Sequence, residues 1–184
     1  IPSGGRAPMG LVLSPSGDRL YVHNYLSRNV AVFAVETVCE GQCFGTEPLA
    51  VVETVSEETL AAQELDGKRL FYNADDIRLN LNSYMACASC HFDGGSDGRT
   101  WDFTQMGEGL RNTTSLHHAK DRGFGMIHWS ANFDEPQDFE NQIRDLNLGN
   151  GLLSDAQFAA AEDPLGSPKA GLNEDLDALA AYME

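Results

Sequence analysis

Lysine is scarce in this 184-residue chain: Lys68, Lys120 and Lys169 are the only three, and with nine arginines they face 28 acidic residues for a formal net charge of −16. A surface of that sign repels phosphate backbones, which argues against nucleic-acid binding and suits a basic protein partner or plain solubility. Long apolar runs are also missing. "NVAVFAV" and "PLAVVETV" are far too short to cross a bilayer, so no membrane span is expected. No charged-then-apolar leader opens the chain and Ile1 is not an initiator methionine, so the expectation is a processed or shortened form of a larger protein. Disorder is not expected, because 42% of the residues are hydrophobic.

The period of the apolar residues changes once along the chain. Up to about residue 55 short stretches alternate between apolar and polar, punctuated by "SPSGD" and "LSRN", which predicts antiparallel strands near Gly10–Leu13, Arg19–Asn24, Asn29–Val35 and Leu49–Thr54. From Ser56 the spacing becomes helical, with Glu57 and Glu58 suited to a helix start. Further helical signals are "DEPQDFENQIRDLN", "SDAQFAAA" and "LNEDLDALAAYME", the last with Asn173 as a candidate cap. The glycine-bearing stretch from Asp93 to Asn132 has little regular pattern, and loops of that length usually wrap something. The expected architecture is therefore α+β: residues 1–55 as a four-stranded antiparallel sheet and residues 56–184 as a mostly helical domain with long loops.

The chemistry concentrates in Cys87-Ala88-Ser89-Cys90-His91. Cys-x-x-Cys-His is a signature for covalent attachment of haem c: two thiols one turn apart form thioethers, and the next imidazole reaches the iron. Two other readings stay open. Cys39, Cys43, Cys87 and Cys90 could form a four-thiolate zinc site in an interaction module, or Cys87 and Cys90 a redox dithiol. Zinc leaves His91 unexplained, and no βαβ pattern surrounds the pair. Haem c is attached outside the cytoplasm, which makes the expected location periplasmic or extracellular and allows a Cys39–Cys43 disulfide.

Two resemblances add to this. Pro8-Met9-Gly10, Leu13-Ser14-Pro15-Ser16-Gly17-Asp18-Arg19-Leu20-Tyr21-Val22, Asn24 and Asn29-Val30-Ala31-Val32-Phe33 resemble one blade of a bacterial β-propeller of the YVTN repeat type. No second copy follows, and one blade cannot bury its faces, so the expectation is either further domains of a parent protein or a lone sheet that packs on the following domain. "LDGKRLFYNA", with Gly67, Leu70, Phe71 and Tyr72, resembles the first helix of a cytochrome c domain, and "DLDALAAYME", with Leu176, Leu179 and Tyr182, its last. Leu110-Arg111-Asn112-Thr113-Thr114-Ser115-Leu116, then Ile127-His128-Trp129, then Asp138 to Ile143, resemble the bacterial di-haem cytochrome c peroxidase and methylamine-utilisation group. That likeness implies one covalent haem c, electron transfer to or from a redox partner, which the acidic charge suggests is basic, and, as the alternative, part of a peroxidase or oxidase. Members of that group bind two haems, whereas this chain carries one attachment motif.

The candidate ligands and contacts follow from the same reading. Cys87 and Cys90 attach the haem and His91 ligates its iron. Arg111 is a candidate for a propionate, with Arg99 and Arg144 more suited to surface ion pairs. Trp101 and Trp129 are expected against the porphyrin. His128 is the favoured sixth ligand, with Met106 and Met126 as alternatives and His117, His118 and Met183 behind them. Asp93 and Asp97 in "DGGSDG" hint at calcium without the EF-hand spacing, and His23 belongs to the sheet.

Overall fold

The computed structural model describes residues 3–36, 47–117 and 125–184, which fall into two compact units, Ile1–Thr59 and Leu60–Glu184. The architecture is mixed α+β, with a four-stranded antiparallel sheet in the first unit and helices in the second.

In the first unit β1 (Pro8–Leu13), β2 (Arg19–Asn24), β3 (Asn29–Ala34) and β4 (Ala50–Glu53) pair in sequence order. Register puts Leu11, Val22, Ala31 and Val51 in one row across the sheet and Leu13, Leu20 and Phe33 in the next. Because side chains alternate along a strand, these rows share a face, and Val22, Ala31 and Phe33 are its buried core. Gly4 lies over that face with φ +73°, and a Cβ there would sit 2.7 Å from that of Ala31, so only glycine lets the chain cross so closely. Asn24, buried, donates from Nδ2 to Asn29 Oδ1 and to the Ser3 carbonyl, both at 2.9 Å, tying the β2–β3 turn to this segment. On the outer strands Leu11, Val12 and Val52 remain more than half exposed.

The second unit is built on two crossing helices, α1 (Ala62–Phe71) and α5 (Glu174–Met183). Leu70 and Phe71 on α1 pack with Leu176, Ala178 and Leu179 on α5, and Phe71 meets Tyr182 edge-to-face at 5.3 Å. The crossing is close because Gly67 has no Cβ; one built there would stand 1.8 Å from the Ala178 carbonyl oxygen. Asn173 caps α5, accepting from Asp175 N and Leu176 N, while its Nδ2 donates to Leu152 O. α2 (Cys87–Cys90), α3 (Phe139–Asp145) and α4 (Asp155–Ala160) are the other α-helices among the described residues of this unit. Ala88, Ile143, Leu152 and Leu153 join the same core. Two fully buried carboxylates brace it. Glu140 accepts from Leu152 N, Leu153 N and Arg144 Nε, and Asp138 takes the buried Lys169 ammonium at 2.7 Å.

Two expectations about local structure are corrected here. α1 does not start at Ser56. It begins at Ala62, where Glu64 reaches back to accept from Ala61 N at 3.1 Å, while Glu58 is held in the first unit by Arg28 at 2.6 Å. The stretch from Asp93 to Asn132 is also not patternless. It contains a two-stranded hairpin, β5 (Thr100–Phe103) and β6 (Gly109–Asn112), with Trp101 opposite Arg111.

Candidate functional site

The Cys-x-x-Cys-His stretch forms one helical turn and then breaks. Ser89 Oγ accepts from Ala86 N at the start and His91 N donates to Cys87 O at the end. Beyond it Asp93 and Gly94 take left-handed conformations, φ +50° and +74°, and redirect the chain. Approach to the turn is set by the buried Asn80, whose Oδ1 accepts from Tyr84 N and whose Nδ2 donates to Ala74 O. Tyr84 and Phe92, on either side of the motif, are largely exposed.

Both cysteines are free thiols. Cys87 packs against the helical core and burial pushes its thiol up to about 11, with Cys90 adding to the shift. Cys90 also moves up, through burial first and the Asp97 charge second, against Arg99. A reactive dithiol needs a thiolate favoured by positive surroundings, which is the opposite environment. His91 is buried enough that its imidazole moves down, while the backbone of Gly95 and Thr114 and the Asp97 carboxylate push the other way. Its Nδ1 is buried and makes no hydrogen bond. A buried unpaired ring nitrogen is costly unless something completes it.

Beyond the motif the hairpin organises the polar residues. Asp97 Oδ2 accepts from Trp101 Nε1 at 3.0 Å and its Oδ1 from Arg99 N at 3.0 Å. Trp129 stacks on Phe103, centroids 4.8 Å apart, and donates from Nε1 to Asn112 O. Arg111 Nη2 reaches Glu108 at 3.3 Å, while its Nε is buried without a partner. Glu108, Asn80 and Asn132 carry no motif-level signal; the one local hint is that Glu108 lies between Gly107 and Gly109, both at positive φ. Glu108 is buried and accepts from Ser130 Oγ at 2.5 Å, with His128 Nδ1 3.8 Å away.

His128 is packed as a core side chain, 5% exposed. Its ring stacks on Phe133 at 4.4 Å, lies 4.5 Å from Trp129, and pairs through Nδ1 with Asn132 Oδ1 at 2.7 Å. The backbone φ of His128 is +71°, a strained value for a non-glycine residue that persists only where the surroundings enforce it. Met106 ends the 3-10 turn Thr104–Met106 and lines an open cleft of about 420 Å³ with Gln105, Glu108, Phe133 and Gln142. Met126 is exposed. A second cleft of about 240 Å³ is bounded by Phe71, Gly94, Leu116, His117 and Tyr182.

The remaining candidates separate from this group. Arg144 is committed to Glu140, Asp155 and Leu153 O and lies over the Phe158 ring. Both Asp97 oxygens are occupied by protein donors, and among the described residues no group of three or more His, Cys, Asp or Glu side chains is arranged to hold a metal ion. His23, on β2, meets the Tyr25 ring edge-on at 6.4 Å. Cys39, Cys43 and His118, and with them the expected disulfide and the four-thiolate alternative, lie outside the described residues. Among the described residues no helix is long and apolar enough to cross a membrane.

Comparison with protein-family models, curated proteins and solved structures found no match to this chain.

Proposed function

We propose that the second unit binds one haem c covalently and transfers single electrons, as a module of a larger extracytoplasmic protein. The observation that carries this reading is the Cys87–His91 turn: two reduced thiols one helical turn apart, followed at once by an imidazole whose Nδ1 is buried and unpaired. The residues fit the group. Cys87 and Cys90 would form the thioethers and His91 would ligate the iron, whose change between two oxidation states carries the electron. Exposed Tyr84 and Phe92 beside the motif supply apolar surface suited to cover by a large planar ring. Arg111, with its Nε orphaned beside the buried Glu108, remains the guanidinium best suited to a propionate. Arg144 is already spent on Glu140 and Asp155.

For the sixth iron ligand the packing shifts the preference from His128 to Met106. His128 is enclosed by Phe133, Trp129 and Phe139 and bonded to Asn132, whereas Met106 stands 37% exposed on an open cleft. One observation favours the alternative reading, a peroxidase-type enzyme: the same cleft has the buried Glu108 carboxylate on its wall, room for a small substrate beside an acid–base group. A redox partner would meet a strongly acidic surface, which favours a basic one.

The test is production of the chain in a host that attaches haem c, then extraction with acidified acetone. A visible spectrum that stays with the protein supports the reading, and its loss to the solvent, or its absence in a folded product, overturns it. Mixing the reduced protein with peroxide separates electron transfer from peroxidase activity, since rapid turnover belongs to the enzyme.

A further inference from the structure

We propose that Ile77, Leu81 and Leu148, exposed on two hydrogen-bonded segments of the second unit, form the surface on which a basic redox protein docks. The redox nature of the partner rests on the haem reading above, whereas the surface stands on this chain's own backbone, exposure and charge.

Residues 77–81 and 147–151 run side by side. Leu81 N donates to Asn147 O at 3.0 Å, Asn150 N to Ile77 O at 3.1 Å and Gly151 N to Arg78 O at 2.9 Å. That antiparallel order sets Leu148 level with the stretch between Ile77 and Leu81. Gly149 lets the segments close up, since a Cβ there would sit 2.4 Å from the Arg78 carbonyl oxygen. Leu79 and Asn80 are buried, whereas Ile77, Leu81 and Leu148 are 55%, 45% and 59% exposed. Leu148 has φ +55°, a left-handed value that glycine adopts freely and leucine does not. It follows α3, and helices commonly end on a left-handed residue that is usually glycine. Here the position holds a large apolar side chain that packing within the unit does not account for, because more than half of it faces solvent. Asn82 and Ser83, next after Leu81, are left-handed as well, and the buried Asn80 pins their turn through Tyr84 N and Ala74 O. The apolar residues are thus presented on a backbone already fixed, which lowers the cost of binding.

The charge on and next to these segments selects the occupant. Arg78 is matched by two carboxylates, Asp76 and Asp175, each at 2.7 Å, and Arg144 by Glu140 at 2.8 Å and Asp155 at 3.1 Å. Asp75 and Asp145, both exposed, add two more on the flanks, so six carboxylates face two guanidiniums. A second copy of this chain would bring the same sign and be repelled. A partner with lysines around an apolar centre complements both the rim and the three residues inside it.

The experiment is calorimetric titration of the full chain with a lysine-rich mono-haem cytochrome c, in about 0.15 M salt so that long-range attraction is screened. Leu148→Gly and Leu81→Ser should each weaken binding about three- to tenfold, and Leu165→Ser, at a half-exposed leucine on neither segment, should leave it unchanged. Acetylating the probe's lysines should abolish binding. Leu148→Gly should keep or raise its urea midpoint, because glycine accepts the left-handed backbone; if Leu81→Ser fails to fold, Leu148→Gly decides alone. Unchanged affinity in Leu148→Gly overturns the proposal, as does an equal loss in the Leu165 control, a parent that does not bind the probe, or an acetylated probe that binds as well. A parent that sediments as a dimer, dissociated by Leu148→Gly, overturns it in favour of a second copy. A chain without covalent haem refutes the functional reading instead, while the same titration still decides the surface, so the two failures are distinct.

Discussion

Replacing Gly67 with alanine should be among the most damaging small changes available in the second unit, although alanine is the better helix former. In a helix interior glycine costs about 1 kcal/mol relative to alanine, so propensity alone predicts a gain. Against that stands the α1–α5 crossing. The new methyl carbon would lie 1.8 Å from the Ala178 carbonyl oxygen, 2.6 Å from its carbonyl carbon and 2.8 Å from Tyr182 Cβ. Two of these atoms are backbone, which no rotamer change can move aside, so the helices must separate by more than an ångström. Overpacking in a core costs about 1–3 kcal/mol, more where backbone must shift. The separation also loosens Leu70 and Phe71 against Leu176 and Leu179, all nearly fully buried. A net loss of about 3 kcal/mol follows, equivalent to a fall of roughly 10 °C in Tm for a unit of this size. Urea unfolding followed by the helical circular dichroism signal measures it, with Gly125→Ala as the control, since nothing lies within 4 Å of a Cβ there. The control should stay within about 0.5 kcal/mol. A loss below about 1 kcal/mol for Gly67→Ala, or any gain, would refute the close crossing.

Other perturbations test the remaining features. Glu140→Ala strands two buried amides and the Arg144 guanidinium and should cost about 3–5 kcal/mol in the same unfolding assay. Lys169→Met, which leaves the Asp138 carboxylate buried and unpaired, should be more destabilising than the double variant Lys169→Met with Asp138→Leu; equal losses would show that the ion pair is not the reason. The hydrogen bond from Arg78, together with its charge, holds the Asp76 carboxyl below its ordinary 3.8, so the folded state binds that proton less readily than the unfolded chain. The stability gap between the parent and Asp76→Asn should therefore be open at neutral pH and close as pH falls through and below that value. In the haem-loaded oxidised protein, Met106→Ala should abolish the thioether-to-iron charge-transfer band in the red while His128→Ala retains it; the reverse result, or no band in the parent, returns the sixth position to His128.

How much of this could be read in the sequence depends on how far apart the interacting residues lie. The sheet was legible because a period of two needs only neighbours, and the four expected strands differ from the observed ones by two residues or fewer at any end. The start of α1 was not, because Ser56, Glu57 and Glu58 carry the composition of a helix N-terminus, yet Glu58 serves an ion pair with Arg28, thirty residues earlier, and the cap is supplied by Glu64. The β5–β6 hairpin is faint in the sequence for a related reason. Its strands are four residues each and half exposed beside a stretch rich in glycine; Trp101 and Phe103 alternate with Thr100 and Asp102 on β5, but that run is too short to stand out, and β6 offers Leu110 alone. The candidate site divides along the same line. Cys87, Cys90 and His91 announce themselves because their chemistry is complete within five residues. Glu108 is invisible, since its partners are Arg111, Ser130 and His128, and the distant ones are brought in by the fold. His128 shows the consequence. Next to Trp129 it reads as an open imidazole, whereas Asn132 and Phe133, four and five residues on, hold its Nδ1 and cover one face of the ring. A motif states which atoms are present; whether an atom is free to react is decided by neighbours that only the folded chain assembles.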